Sequence, residues 1–302
     1  MSSVRTSPTR LDKVPAKLKV IVTRHPKFAC RACEKDGADE TAGVIQAPAP
    51  LRLVEGGLPT EALVADVLVS KYADHLPLYR QAQILAREGV AIDRSTLAHW
   101  VGFAAFELQP LHARLVKILK SSAKLFADET RCPVLDPGRG RTTTGYLWAL
   151  ARDDRPWAGS GPPAVAYLYA PGRGAEHAVR HLAGFTGILQ VDGYAAYEAL
   201  TNRPRAGGLV MLAFCWSHFR RKFYDIAKAG DAPIATKARH RIGTLYEIEA
   251  DIRGRSADER RAERQARSQP IIDALKSWLE IQLGRVSGRS PVAEAMRYGL
   301  GR

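Results

Sequence analysis

Between residues 124 and 215 the chain alternates strand-like apolar runs with short helical or turn-rich pieces, and this rhythm limits the fold more than any other feature. KLFAD (124–128), GYLWALAR (145–152) and AVAYLYA (164–170) read as strands. They are joined by DPGRGRTTT and DDRPWAGSGPP, whose Gly, Pro and Asp content predicts hairpin-like connections. AEHAVRHLAGF then sets Ala178, Leu182 and Phe185 at helical spacing. ILQVD (188–192) reads as a strand, YAAYEAL as a short helix and LVMLAFC (209–215) as a further strand. Three strands, helix, strand, helix, strand predicts an α/β unit, a meander whose later strands return through helical crossovers.

Two of these runs end in acid, KLFAD in Asp128 and ILQVD in Asp192. The element order suits a ribonuclease-H-like sheet, in which the first strand is central and the fourth lies beside it. Asp128 and Asp192 would then occupy neighbouring strand ends. Paired carboxylates repel unless a cation sits between them, and magnesium prefers carboxylate and water oxygens. Such ions activate a nucleophile and stabilise the leaving oxygen of a phosphodiester. The plainer alternative is that Asp ends strands often and a VDG turn needs no chemistry. Glu129 follows Asp128 and by strand alternation points away, in a supporting role at most.

Beyond the last strand, WSHFRRKFYDIAKAG has an apolar stripe of Phe219, Phe223 and Ile226, with Arg220, Arg221 and Lys222 on other faces. A basic helix beside an acidic metal site neutralises bound nucleic-acid backbone, so His218, Arg220 and Arg221 are candidate phosphate contacts; His218 can equally support a carboxylate or pack. Residues 235–283 read as helical, with mixed-sign charges suited to a solvated helix. Glu280 and Glu294 are formal candidates for a third acid.

The front of the chain has a different character. LDKVPAKLKVIVTRHPKF is basic, with KLKVIV a short candidate strand, and FACRACEKDG sets Cys30 and Cys33 two residues apart. That spacing can place two thiolates on one zinc ion, but a closed site needs four ligands; an inert or dimer-bridging pair is the alternative. QAPAP reads as a linker. Then three helical patterns follow, with Thr60 as cap, Pro77 as start and Gly89 as stop. Two short helices about a Gly-containing turn match helix-turn-helix spacing and put Arg94, Ser95, Thr96 and His99 outward on the second, as candidate DNA contacts. A packing unit without ligand is the alternative, and Trp100 reads as core. These boundaries divide the chain at 1–50, 51–120, 121–230 and 231–302.

The 302 residues carry 45 Lys and Arg against 31 Asp and Glu, a formal charge of +14, which favours a polyanionic partner such as DNA. No apolar run approaches the roughly 18 residues of a membrane span, and the N-terminus has no apolar signal region. Four cysteines are too few for a disulfide scaffold and point to a reducing cytoplasm.

Several long motifs, in order, resemble the transposases of the insertion sequence 66 family: QAPAPLRLVEGGLPTEALVADVLVSKYADHLPLYRQAQILAREGVAIDRSTLAHWVG, KLFADET, GYLWALARDDRPW, LQVDGYAAYEAL and FCWSHFRRKFYD. The resemblance implies a bacterial, nucleoid-associated DNA transposase with an Asp-Asp-Glu site, using two magnesium ions to cut at transposon ends and joining the freed 3′ hydroxyl to target DNA, in a synaptic complex of more than one copy. The family's first and second acids fall on Asp128 and Asp192. Its third, a Glu in a motif resembling DNNTVERA, has no counterpart here, and only Cys30 and Cys33 remain of its cysteine pairs. The expectation is a copy shortened at both ends and defective in cleavage by itself, or a DNA-binding remnant without chemistry. A structural protein with incidental charge and a hydrolase of RNA–DNA hybrids are the remaining alternatives.

Overall fold

The computed structural model describes residues 11, 17–29, 44–55, 57–157, 159–201 and 208–302. The chain divides into two compact units, Met1–Gln109 and Pro110–Arg302.

In the first unit, β1 (Lys27–Ala29) pairs antiparallel with β2 (Val44–Gln46). KLKVIV is not a strand: residues 17–26 have no regular structure and Val20, Ile21 and Val22 are exposed. Its alternation has no sheet face to bury, so β-propensity alone does not hold it extended in a ladder. Cys30 and Cys33 lie outside the described residues. Three helices follow, α1 (Glu61–Tyr72), α2 (Leu78–Arg87) and α3 (Arg94–Glu107). Thr60 caps α1, its Oγ1 accepting from the Leu63 N–H at 3.3 Å. Val64, Val67, Leu85, Leu97, Trp100 and Ala104 form the core between the helices, so Trp100 is a packing residue. The buried Gln81 donates to the carbonyls of Val67 (3.3 Å) and Leu76 (3.1 Å), which ties α2 to the end of α1.

The second unit opens with α4 (Gln109–Lys120) and a sheet of β3 (Lys124–Asp136), β4 (Arg141–Arg152), β5 (Ala164–Ala170), β6 (Gly187–Val191) and β7 (Val210–Phe214). Helix α5 (Ala175–His181) precedes β6, and a 3-10 turn (Ala195–Leu200) precedes β7. The sheet order is β5-β4-β3-β6-β7. β3, β4 and β5 form an antiparallel meander, β6 is parallel to β3, and β7 is parallel to β6. This is a mixed α/β fold with a central β3. Leu125 and Leu189 face each other in the β3–β6 register and both are fully buried. Burial of a leucine side chain contributes about 1.5–3 kcal/mol, so this pair sets the register that the strand ends inherit. Gly187 begins β6 at φ +118, where any Cβ would collide with the Ala123 carbonyl; glycine is required there by both conformation and space.

Helices α6 (Trp216–Ala229), α7 (Pro233–Asp251), α8 (Ala257–Glu263), α9 (Gln269–Leu283) and α10 (Pro291–Leu300) complete the unit, with a π-helical turn at Arg264–Ser268. Phe219 and Phe223 of α6 pack with Ile242, Leu275, Leu279 and Met296, so the later helices share one core with α6. No helix among the described residues is long and apolar enough to cross a membrane.

One buried group makes stability depend on pH. His181, 8% exposed, lies against Trp148 with ring centres 5.7 Å apart, and its Nε2 has no hydrogen-bond partner among the described residues. Burial first, then the charges of Arg180, His177 and Lys120, pull its pKa from 6.5 down to about 4. Between these values the unfolded chain takes up a proton that the folded chain refuses. Stability therefore falls as pH drops through this window, by about 1.4 kcal/mol per pH unit. His181→Phe keeps an aromatic ring and removes the unpaired nitrogen. Urea melts at pH 7 and pH 5 are expected to show about 2 kcal/mol less acid sensitivity in the variant than in the parent; equal sensitivity would place the pH dependence elsewhere.

Candidate active site

The site is built by strand register. Lys124, Leu125 and Phe126 of β3 pair with Ile188, Leu189 and Gln190 of β6. Asp128 lies two residues beyond Phe126 on β3, and Asp192 two residues beyond Gln190, just past the end of β6. Asp128 is not at a strand end as its apolar run suggests: it lies inside β3, opposite Ala149 of β4, while Asp192 directly follows β6, the strand next to β3. Alternation assigns the faces: Lys124, Phe126 and Asp128 share one, while Leu125, Ala127 and Glu129 share the buried one. Asp128 is exposed and Asp192 half-buried.

Local hydrogen bonds set both carboxylates. Asp192 Oδ1 accepts from the Tyr194 N–H at 2.8 Å, closing an Asx turn, and Asp128 Oδ1 accepts from the Glu129 N–H at 2.9 Å. Gly193, between Asp192 and Tyr194, has φ +90, the left-handed region that the turn needs. The main chain of this turn is also held from outside the sheet. The Asp192 carbonyl accepts from the Tyr298 hydroxyl, near the C-terminal end of α10, and the Gly193 carbonyl accepts from the guanidinium of Arg302, just beyond that helix.

Behind the edge lies a polar network that sequence reasoning missed. It centres on Glu129, whose side chain is 0% exposed. Glu129 accepts from Arg173 Nε at 2.6 Å and from the Tyr197 hydroxyl at 2.7 Å, and it forms an ion pair with the Arg173 guanidinium. Arg173 lies over the Tyr194 ring, 3.8 Å from its centre, and its carbonyl accepts from the Tyr194 hydroxyl at 2.9 Å. Burial pushes the Glu129 carboxyl up, against the lowering pull of Tyr197 and Arg173. Desolvation pulls Arg173 down, but the hydrogen bond and charge of Glu129 outweigh it and hold the guanidinium more firmly cationic. Burial, then Glu129, pushes the Tyr197 hydroxyl up, so it remains a donor; Asp128 and Asp192 push in the same direction. The network joins β3, the loop before α5 and the turn after Asp192. Strand alternation was the available signal: a charged residue on the face of Leu125 and Ala127 needs a buried partner.

The other candidates divide between the two units. His218, Arg220 and Arg221 stand on α6, which starts beyond β7 at the sheet edge that carries Asp192. His218 and Arg221 are exposed, Arg220 is half-buried, and all three line one groove. Cys215, at the end of the LVMLAFC run, is half-buried at the N-cap position of α6. Arg94, Ser95, Thr96 and His99 belong to the first unit, exposed near the start of α3, with the His99 ring edge-on to Phe103 at 4.7 Å. Glu280 and Glu294 are exposed. Among the described residues, no group of three or more His, Cys, Asp and Glu is arranged to hold a metal ion. Asp128 and Asp192 supply hard carboxylate oxygens, a donor set that suits magnesium, which takes one or two protein carboxylates and completes its shell with water and phosphate.

A family model described as "Transposase IS66 family" matches residues 56–302. The uncharacterized protein y4qI of Sinorhizobium fredii (strain NBRC 101917 / NGR234) is 50% identical over 296 residues, covering 97% of this chain and 53% of that protein. From the same organism, y4jD is 47% identical over 297 residues, covering 98% of this chain and 57% of that protein. The chain thus spans about half the length of the curated relatives it matches. No solved structure matches it. The family model spans more than half of the chain, and the chain belongs to the IS66 family of transposases.

Proposed function

We propose that residues 110–302 carry the metal-binding core of a DNA transposase of the Asp-Asp-Glu type, built on a ribonuclease-H-like sheet. The strand order with β3 at the centre supports the fold reading. The single observation that supports the functional one is the parallel register of β3 and β6, which, continued two residues past Phe126 and Gln190, would bring Asp128 and Asp192 alongside each other. These two residues would hold magnesium, which when bound supplies Lewis-acid stabilisation of a phosphodiester undergoing cleavage. Asp192 is oriented by the Tyr194 N–H, and Asp128 by the N–H of Glu129. His218, Arg220 and Arg221 take backbone phosphates, and Arg94, Ser95, Thr96 and His99 contact duplex DNA. Zinc at Cys30 and Cys33, and a synaptic complex of several copies, belong to the same reading.

The two-carboxylate donor set favours a second reading, a DNA-binding protein without chemistry. One experiment separates them. The chain is incubated with duplex carrying its element's ends, with magnesium or with chelator, across a salt series. Magnesium-dependent nicking supports the first reading. Salt-sensitive binding without nicking supports the second. Absence of both overturns the DNA assignment.

A further inference from the structure

Helices α6 and α7 enclose a groove of about 780 Å³, lined by His218, Arg220, Arg221, Tyr224, Tyr246 and Gly243. Among the described residues, no carboxylate lines it. Tyr224 and Tyr246 remain 41% and 40% exposed. Both rings are held: the Tyr246 hydroxyl is 3.1 Å from the Ser217 hydroxyl, and the Arg239 guanidinium lies 5.8 Å from the Tyr224 ring centre. A Cβ on Gly243 would meet nothing within 4 Å, so the groove is open at this point.

Cations beside solvent-facing aromatic rings make the combination that binds unpaired nucleotides: the charges follow the phosphates and the rings stack on bases. In a duplex the base faces are stacked on each other and unavailable to tyrosines. We propose that this groove binds an unpaired stretch of a DNA strand, with phosphates on His218, Arg220 and Arg221 and bases against Tyr224 and Tyr246. The proposal rests on the DNA reading above for the identity of its ligand. α6 begins directly after β7, whose Phe214 pairs with Val191, the residue before Asp192, so the groove and Asp192 lie on the same end of the sheet.

The test compares fluorescence anisotropy of a labelled single strand and of a labelled duplex, without metal, for the parent chain and for Tyr224→Ala, Tyr246→Ala and Gly243→Leu. Each tyrosine variant is expected to weaken single-strand binding about 10-fold and to leave duplex binding unchanged. Gly243→Leu fills the groove without altering charge and is expected to do the same, which keeps the test valid if a tyrosine variant fails to fold. Unchanged single-strand affinity in folded variants, or equal losses on both ligands, overturns the groove assignment while the DNA reading stands. A parent chain that binds neither ligand at low salt overturns both.

Discussion

Asp192→Asn is expected to leave the fold intact and to reduce any magnesium-dependent strand cleavage by the chain about 1,000-fold, equivalent to about 4 kcal/mol of transition-state stabilisation. Asparagine keeps the size of the side chain and the Oδ1 that accepts from the Tyr194 N–H, so the turn after β6 is retained. What it loses is the charge. Asp128→Asn should act alike, since Asp128 is exposed and its carboxylate accepts from the adjacent Glu129 N–H, which an amide oxygen also does. A second readout needs no cleavage: ligand binding to the folded state raises stability by RT ln(1 + [L]/Kd). Magnesium should raise the Tm of the parent and not that of either variant. Cleavage at the parental rate by Asp192→Asn, or an undiminished magnesium shift, would end the assignment.

Arg173→Ala is expected to destabilise the second unit by about 3 kcal/mol, the lower end for breaking a buried ion pair, because Arg173 itself is 38% exposed on its side chain. The cost arises on the other partner, as the fully buried Glu129 keeps only Tyr197. Without Arg173 the raised Glu129 pKa rises further, so the folded state binds a proton that the unfolded chain has already released. The defect relative to the parent should therefore be small at acidic pH, grow as pH rises from the parent's already raised Glu129 pKa to the variant's higher one, and level off above it. Adding Glu129→Leu removes the stranded charge and should restore much of the loss. Denaturant melts of the two variants check this; equal instability at all pH values would show that Glu129 is not the source.

The sheet was legible because its strands are apolar on a buried face. The hairpin of β3 and β4 was read short, since its outer half, including Thr142, Thr143 and Thr144, is exposed and has no burial pattern to reveal it. The ladder itself extends those strands. Asp128 and Asp192 were legible because each ends a run. The Glu129 network was not, because its partners lie 44 and 68 residues away and meet only after β3, α5 and the turn after β6 come together. Tyr224 and Tyr246 were hidden for the same reason: two tyrosines on separate helices show no common pattern until α6 and α7 pack.

The grip of Tyr298 and Arg302 on the carbonyls of Asp192 and Gly193 gives the molecule a lever. Tension or rotation applied to α10 is delivered to the backbone that carries the second carboxylate, without passing through the sheet. Whatever docks on that helix therefore has mechanical access to the alignment of the acidic pair.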